Sequence, residues 1–265
     1  MTDRAALLRN RGRCQKAAMF LHEEAIADVQ DRLSMVKKSF TTVGIVTGHP
    51  ETWEIIEGAQ IIADEDSLGL EDASFDLLIH AMTLHWANDP VGQLIQMRRA
   101  LKPDGLMLAV FPGGQTLNEL RACLSQAESE TRGGLSPRVL PMGDIRDLGG
   151  LLQRAGFALP VADNITLTAE YDDAFALMRD LRAMGEGNAL VARDRHATRR
   201  DVLMRTAEHY AMHFKGAQKP IQATFELMVL TGWAPSADQP QPLRPGSAKT
   251  RLAQALGTSE TSLSD

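Results

Sequence analysis

Three clusters in this chain carry residue types spaced for chemistry. His85 and Trp86 follow a short apolar run, 77–81, and precede Asn88, Asp89 and Pro90. An imidazole just past a strand end can move a proton near neutral pH, and an indole beside it can wall a pocket. The plainer alternative is that His85 bonds a loop carbonyl and Trp86 packs under a helix. Gly113 and Gly114 close a second apolar run, 106–111, and Thr116 then opens a helix. Bare N–H groups at such a start suit an anion or carboxylate. Glu119, within the first turn, either holds a substrate cation or is solvated. Gly44 and Gly48 bracket the apolar segment of TVGIVTG, as a close-approach loop or a simple turn. Asp64 and Glu65 stand at the end of QIIADED.

The elements that must hold these groups follow from pattern. Residues 77–81 read as a buried strand. Pro90 suits a first helical position after Asn88 and Asp89, and Leu94, Ile95, Met97, Ala100 and Leu101 recur at helical spacing. Lys102, Pro103, Asp104 and Gly105 read as a stop, and 106–111 as a second strand. Strand, helix and strand at this spacing give a right-handed βαβ unit with parallel strands. Ligands gather at the carboxyl ends of such strands, here the loops 83–89 and 112–116.

Upstream, residues 17–36 carry a helical stripe of Ala18, Leu21, Ala25, Val29, Leu33 and Val36. The basic stretch before it, 3–16, is either a transit peptide or a helix of the domain. Downstream, Asp144 caps a helix that Gly156 stops; 159–171 is a strand, 174–184 a helix, 193–214 a basic amphipathic helix and 222–233 a final strand. The arginines at 193, 195, 199 and 200 either face an acidic partner or form a solvated face. These segments divide into a helical cover, 1–40, a central domain, 41–235, with a helical insertion at 172–215, and an irregular tail, 236–265. A net charge of −6 over 265 residues argues against nucleic acid as a partner. No apolar run reaches membrane-spanning length. Cys14 and Cys123 lie far apart without metal spacing and read as reduced thiols of a cytoplasmic protein.

FDLLIHAMTLHWANDP followed by RRALKPDGLMLAVFPGG resembles the fourth and fifth strands of class I S-adenosylmethionine-dependent methyltransferases. The LHW-x-ND form is similar to a smaller branch. That branch holds malonyl-carrier-protein methyltransferases and the respiratory complex I assembly factor that acts as a protein arginine hydroxylase. DRAALLRNRGRCQKAAMFLHEE, GGQTLNELR, SPRVLP, DLGGLLQRAGF, MGEGN and PGSA resemble the hydroxylase side, in order.

The resemblance implies a Rossmann-like α/β methyltransferase sheet, mostly parallel with a final antiparallel strand. It implies S-adenosylmethionine near Gly44 and Gly48, with Asp64 accepting from the adenine amine and the backbone near Glu65 at the ring edge. His85 would be catalytic, and Trp86, Gly113, Gly114, Thr116 and Glu119 would meet the substrate. Two departures weaken the cofactor site. Ile45, Val46 and Thr47 stand where an acid and glycines are expected, and no segment supplies the second strand with its ribose-binding carboxylate, so one strand–helix unit is lacking. Each missing charge-assisted site is worth about 1.5–3 kcal/mol. Three functions follow. The first is a protein-side-chain-modifying enzyme of the hydroxylase branch, with a respiratory-complex subunit as substrate. The others are a methyltransferase of a small or carrier-bound substrate, and a cofactor-free assembly module.

Overall fold

The computed structural model describes residues 1–240 and 257–258. Among the described residues the chain forms six strands and seven α-helices. The first half holds α1 (Arg4–Arg11), α2 (Phe20–Met35), β1 (Val43–Thr47), β2 (Gln60–Ala63), β3 (Phe75–Ala81), α3 (Pro90–Ala100) and β4 (Leu101–Gly113). Then come α4 (Asn118–Arg132), α5 (Ile145–Ala155), β5 (Ala158–Tyr171), α6 (Ala174–Ala183), α7 (Arg200–His213) and β6 (Ile221–Trp233). Met1–Pro235 form one unit and Ser236–Asp265 a second. In the second, the amide of Ser236 donates to Gln239 Oε1 at 3.2 Å. The PLRPGSA segment, 242–248, lies outside the described residues.

The strands form one sheet in the order β2-β1-β3-β4-β6-β5. β1 pairs in parallel with β2 and β3, and β3 with β4, in the register Ile79 to Leu108. β6 is antiparallel to both β4 and β5. The sheet is therefore mixed, with the expected βαβ unit at its centre. The shortened first half is visible directly: β1 and β2 are neighbours, and the 48–59 crossover holds only a single helical turn, Pro50–Thr52.

Alternation along the strands splits the core in two. Ile45, Leu77, Ile79, Leu106, Leu108 and Val110 face one side, packed against α2, α4 and α6. Val46, Leu78, Met107, Ala109 and Phe111 face the other, against α3 and α5. Each fully buried aliphatic side chain contributes about 1.5–3 kcal/mol. α3 begins as its sequence dictates, with Pro90 in the first turn and Asp89 accepting from the Gly92 amide. α5 likewise starts on Asp144 and ends on Gly156 at φ 81°.

Three boundaries differ from the sequence pattern. The 17–36 stripe is broken at Met19, so a single turn, Lys16–Ala18, precedes α2. Residues 102–105 follow the end of α3, as expected of a helix stop, but are not a turn outside the sheet. They belong to β4, where a register shift and Asp104 at φ 60° absorb the turn chemistry. α7 starts at Arg200 rather than 193, because side-chain bonds pin 193–199 as a loop. Arg193 pairs with Asp3 at 2.9 Å, Asp194 accepts from the His196 amide, and Arg138 donates to Thr198 Oγ1.

Candidate functional site

A cavity of about 830 Å³ opens at the carboxyl ends of β3 and β4. His85 and Trp86 form part of its wall, on the turn after β3. Pro112, Thr116 and Leu117, after β4, form the adjoining wall. α6 contributes Met178 and Leu181, and the segment that follows contributes Glu186. Two non-glycine residues on these loops hold left-handed backbone: Met82 at φ 57° and Leu117 at φ 55°. Each such residue costs of order 1–3 kcal/mol, and such strain gathers where a site over-determines the chain.

The amino terminus closes the cavity from above. The Asp3 amide donates to Ala189 O at 2.7 Å, Asn10 donates to Gly187 O at 2.9 Å, and the Thr2 amide donates to Asn88 Oδ1 at 2.7 Å. Leu7 is fully buried with Trp86 and Ala189. A second wall is held by Glu128, which is 1% exposed. Its carboxylate accepts from the Ser136 amide and hydroxyl and from Arg138. Burial opposes its charge, but these bonds outweigh it and lower its pKa.

Glu186 is the chemical centre of the lining. Trp86 Nε1 donates to Glu186 Oε2 at 2.7 Å, and His85 Nε2 lies 3.3 Å from the same oxygen. Burial raises this carboxyl; the bond and charge of His85, the charge of Arg11 and the bond from Trp86 overcome that and bring it to about 2. It is a carboxylate throughout the neutral range. Asp3 and Asp194 also line the cavity, but each has an arginine partner, Arg193 and Arg132 respectively. Glu186 has none among the described residues. The walls are mixed: Leu120, Leu124, Leu140 and Phe225 are apolar, while Arg9, Arg138, Arg182, Arg193 and Arg195 also line the cavity. Such a chamber suits a side chain with an aliphatic stem and a cationic head.

Of the residues singled out by sequence, the cavity brings together His85, Trp86 and Thr116. Thr116 is buried, and its hydroxyl and the Glu226 backbone bond reciprocally. Gly113 packs against Met228, and Gly114, at φ 52°, donates to Gly143 O at 2.9 Å. Glu119 is 4% exposed and bonds the Thr224 amide and hydroxyl on β6, so it is spent inside the fold. Glu65 is exposed, and its carbonyl accepts from Gln93 Nε2. Gly44 lies within β1, where an added Cβ would come 2.7 Å from Leu78 Cδ2. Glu186 was not singled out. MGEGN marked only a turn, and nothing in its spacing places the carboxylate beside a tryptophan about a hundred residues away.

The carboxyl ends of β1 and β2 form a separate corner. Asp64, beyond β2, accepts from Arg11 Nη1 at 2.8 and 2.9 Å and from Arg4 Nη2 at 3.1 Å. Burial raises its carboxyl, and the two guanidiniums more than reverse this. Arg11 is 5% exposed and lies against Gly48, where an added Cβ would be 2.1 Å from Nη1. Nearby, Trp53 Nε1 donates to His22 Nδ1 at 2.9 Å, and the His22 and His49 rings meet edge to face at 4.7 Å. Burial, with the neighbouring His49, drives His22 down to about 3, and burial with Arg11 lowers His49. Both rings are neutral.

The comparisons with known proteins agree with this architecture. Residues 6–109 match the family model described as a methyltransferase domain. "Arginine-hydroxylase NDUFAF5, mitochondrial" of Dictyostelium discoideum is 41% identical over 196 residues, 74% of this chain and 45% of that protein. Its namesake from Homo sapiens is 36% identical over 199 residues, 75% of this chain and 57% of that protein. This chain carries a methyltransferase domain and is similar to the arginine-hydroxylase branch of the class I S-adenosylmethionine-dependent methyltransferase superfamily. It spans about half the length of the curated relatives it matches. The crystal structure of the YcgJ protein from Bacillus subtilis superposes with a TM-score of 0.51 at 13% identity, over 80% of this chain and 99% of that one. That likeness concerns the fold.

The family resemblance puts the expected place for S-adenosylmethionine at the corner of Gly48 and Asp64. The residues there do not fit it as folded. Arg11 fills the space beside Gly48, and the carboxylate expected to meet the adenine amine is turned to two guanidiniums. Among the described residues no helix is long and apolar enough to cross a membrane.

Proposed function

We propose that this protein receives an arginine side chain of a protein substrate in the cavity at Glu186 and is an enzyme of the arginine-hydroxylase branch. The observation that carries the reading is the Glu186 carboxylate, charged and without a bonded arginine among the described residues, in a cavity that also offers apolar wall at Leu120, Leu124, Leu140 and Phe225. A guanidinium would complete its hydrogen bonding in a fork geometry that a lysine cannot reproduce. The names of the relatives supply the reaction class. Hydroxylation needs an oxidising co-reactant; the residues named here bind, orient and exclude water. Trp86 would hold Glu186 in place, His85 would hold or move a proton at the same oxygen, and Thr116 would shape the far wall. A subunit of respiratory complex I is the substrate class that the family resemblance implies. The two free thiols, Cys14 and Cys123, fit a reducing compartment such as the cytoplasm. The relatives themselves are named mitochondrial.

A second reading, a module that holds a partner without modifying it, is favoured by the Arg11-filled corner. Titration with a peptide carrying one arginine between apolar residues, and with its lysine and citrulline analogues, tests the binding step. Arginine binds best, and Glu186→Gln weakens it about tenfold or more, as expected for a buried charged hydrogen bond. Equal binding of all three peptides would refute the reading. Mass spectrometry of a co-expressed substrate then separates the two: gain of one oxygen on arginine supports the enzyme, and binding without mass change supports the module.

A further inference from the structure

The corner that the fold reserves for a nucleoside is not merely lined by unsuitable residues; a side chain of this protein has taken its place. Arg4 and Arg11 are seven positions apart on α1, so they project from one face of that helix. Both reach Asp64, and Arg11 does so through two bonds from one nitrogen. The contact is buried at both ends, with side-chain exposures of 4% for Arg11 and 6% for Asp64. No strand–helix unit lies between β1 and β2, and the guanidinium lies directly on Gly48, the last glycine of the first-strand loop.

The same helix builds the other site. Asp3 and Arg9, on and beside α1, line the cavity, and Leu7 is packed on Trp86, which in turn donates to Glu186. One face of α1 is thus anchored at Asp64 and another closes the chamber at Glu186.

We propose that the Arg11–Asp64 ion pair stands in for the nucleoside cofactor, fixing α1 over the cavity so that the site is assembled without S-adenosylmethionine. The inference does not depend on which side chain the cavity receives. It makes Arg11, Arg4 and Asp64 positioning residues and predicts that the chain binds neither S-adenosylmethionine nor S-adenosylhomocysteine. It also predicts a coupling: loosening the pair frees the amino-terminal cover while leaving the central strands protected.

Two measurements on the full chain test it. Calorimetric titration with S-adenosylmethionine and S-adenosylhomocysteine is expected to give no heat of binding at millimolar ligand; saturable binding at micromolar concentration would overturn the proposal. Hydrogen exchange is then compared between wild type, Asp64→Asn and Arg11→Lys. Amides of residues 4–12 and 187–191 are expected to exchange about a hundredfold faster in Asp64→Asn, with a smaller change in Arg11→Lys, which keeps the charge and one donating nitrogen. Amides of β3 and β4 are the internal control for folding. Unchanged exchange in α1 with Asp64→Asn would refute the positioning role, as would a uniform rise across the whole sheet. Neither readout involves arginine peptides, so the outcome is independent of whether the cavity accepts them.

Discussion

Acidification from pH 7 to pH 5 should destabilise this protein through two histidines that lie outside the cavity. His22 is 1% exposed and His80 is fully buried. His80 Nε2 lies 2.9 Å from Gln93 Oε1, and Nδ1 lies 3.2 Å from Thr83 Oγ1. The Gln93 amide nitrogen is committed to Glu65 O, so its oxygen faces the imidazole and the ring carries its proton on Nε2. Both rings therefore fold neutral. Burial lowers His22 from 6.5 to about 3 and His80 from 6.5 to about 4. The sign follows from proton counting. Below 6.5 the unfolded chain binds protons that the folded chain refuses, so stability is complete above 6.5 and falls as pH drops toward the folded values. Between pH 7 and pH 5 each histidine removes about 2 kcal/mol, and together they remove about 4. With a urea m-value of about 2.5 kcal/mol/M, the midpoint should move down by about 1.5 M. The double variant His22→Gln/His80→Gln should start less stable and lose far less of that pH dependence. If its midpoint shifts between pH 7 and pH 5 as far as wild type, the neutral-burial argument fails. Asp64 and Glu186 do not confuse the test: both are lowered, so their contributions are lost only below the ordinary carboxylate range.

Three further outcomes follow from single contacts. Gly48→Ala places a methyl 2.1 Å from Arg11 Nη1 and should cost about 3–5 kcal/mol by displacing the guanidinium from Asp64, read as a lower urea midpoint. Trp86→Phe keeps the packing on Leu7 but deletes the 2.7 Å bond to Glu186; thermal unfolding should report a loss of about 1.5–3 kcal/mol at pH 7. Glu128→Gln removes the charge that gathers Ser136 and Arg138, so limited proteolysis should cut within 133–142 well before global unfolding, and wild-type resistance there would count against that role.

Much of this was legible from the chain itself, for local reasons. α3 and α5 announce themselves through Asp89, Pro90, Asp144 and Gly156, because caps and stops are decided by a residue and its immediate neighbours. The parallel pairing of β3 and β4 follows from an apolar run, a helix and another apolar run. What pattern did not reveal was every contact made at long separation. Arg11 meets Asp64 across 53 positions, and Trp86 meets Glu186 across 100. A basic amino-terminal stretch looks alike whether it is solvated, cleaved or buried on a carboxylate, because exposure is a property of the fold. The same holds for the arginine run after 192: Arg193 turns inward to Asp3, while Arg195 stays 70% exposed.

The two unusual regions of this molecule have one physical origin. β1 and β2 are direct neighbours, so Gly48 and Asp64 follow the paired strand ends Thr47 and Ala63 with no strand–helix unit between them. A buried Asp64 left alone would carry an uncompensated charge, which costs several kcal/mol. The fold resolves this with the nearest mobile cations, those of its own amino-terminal segment, and that segment can reach only by lying as a helix across the loops after β3. There it roofs the space beside Trp86, over a cavity whose Glu186 is held by Trp86 and His85 and has no bonded arginine among the described residues. The Asp64 contact and the closure of the cavity thus rest on one helix, and displacing Arg11 from the interior should disturb both.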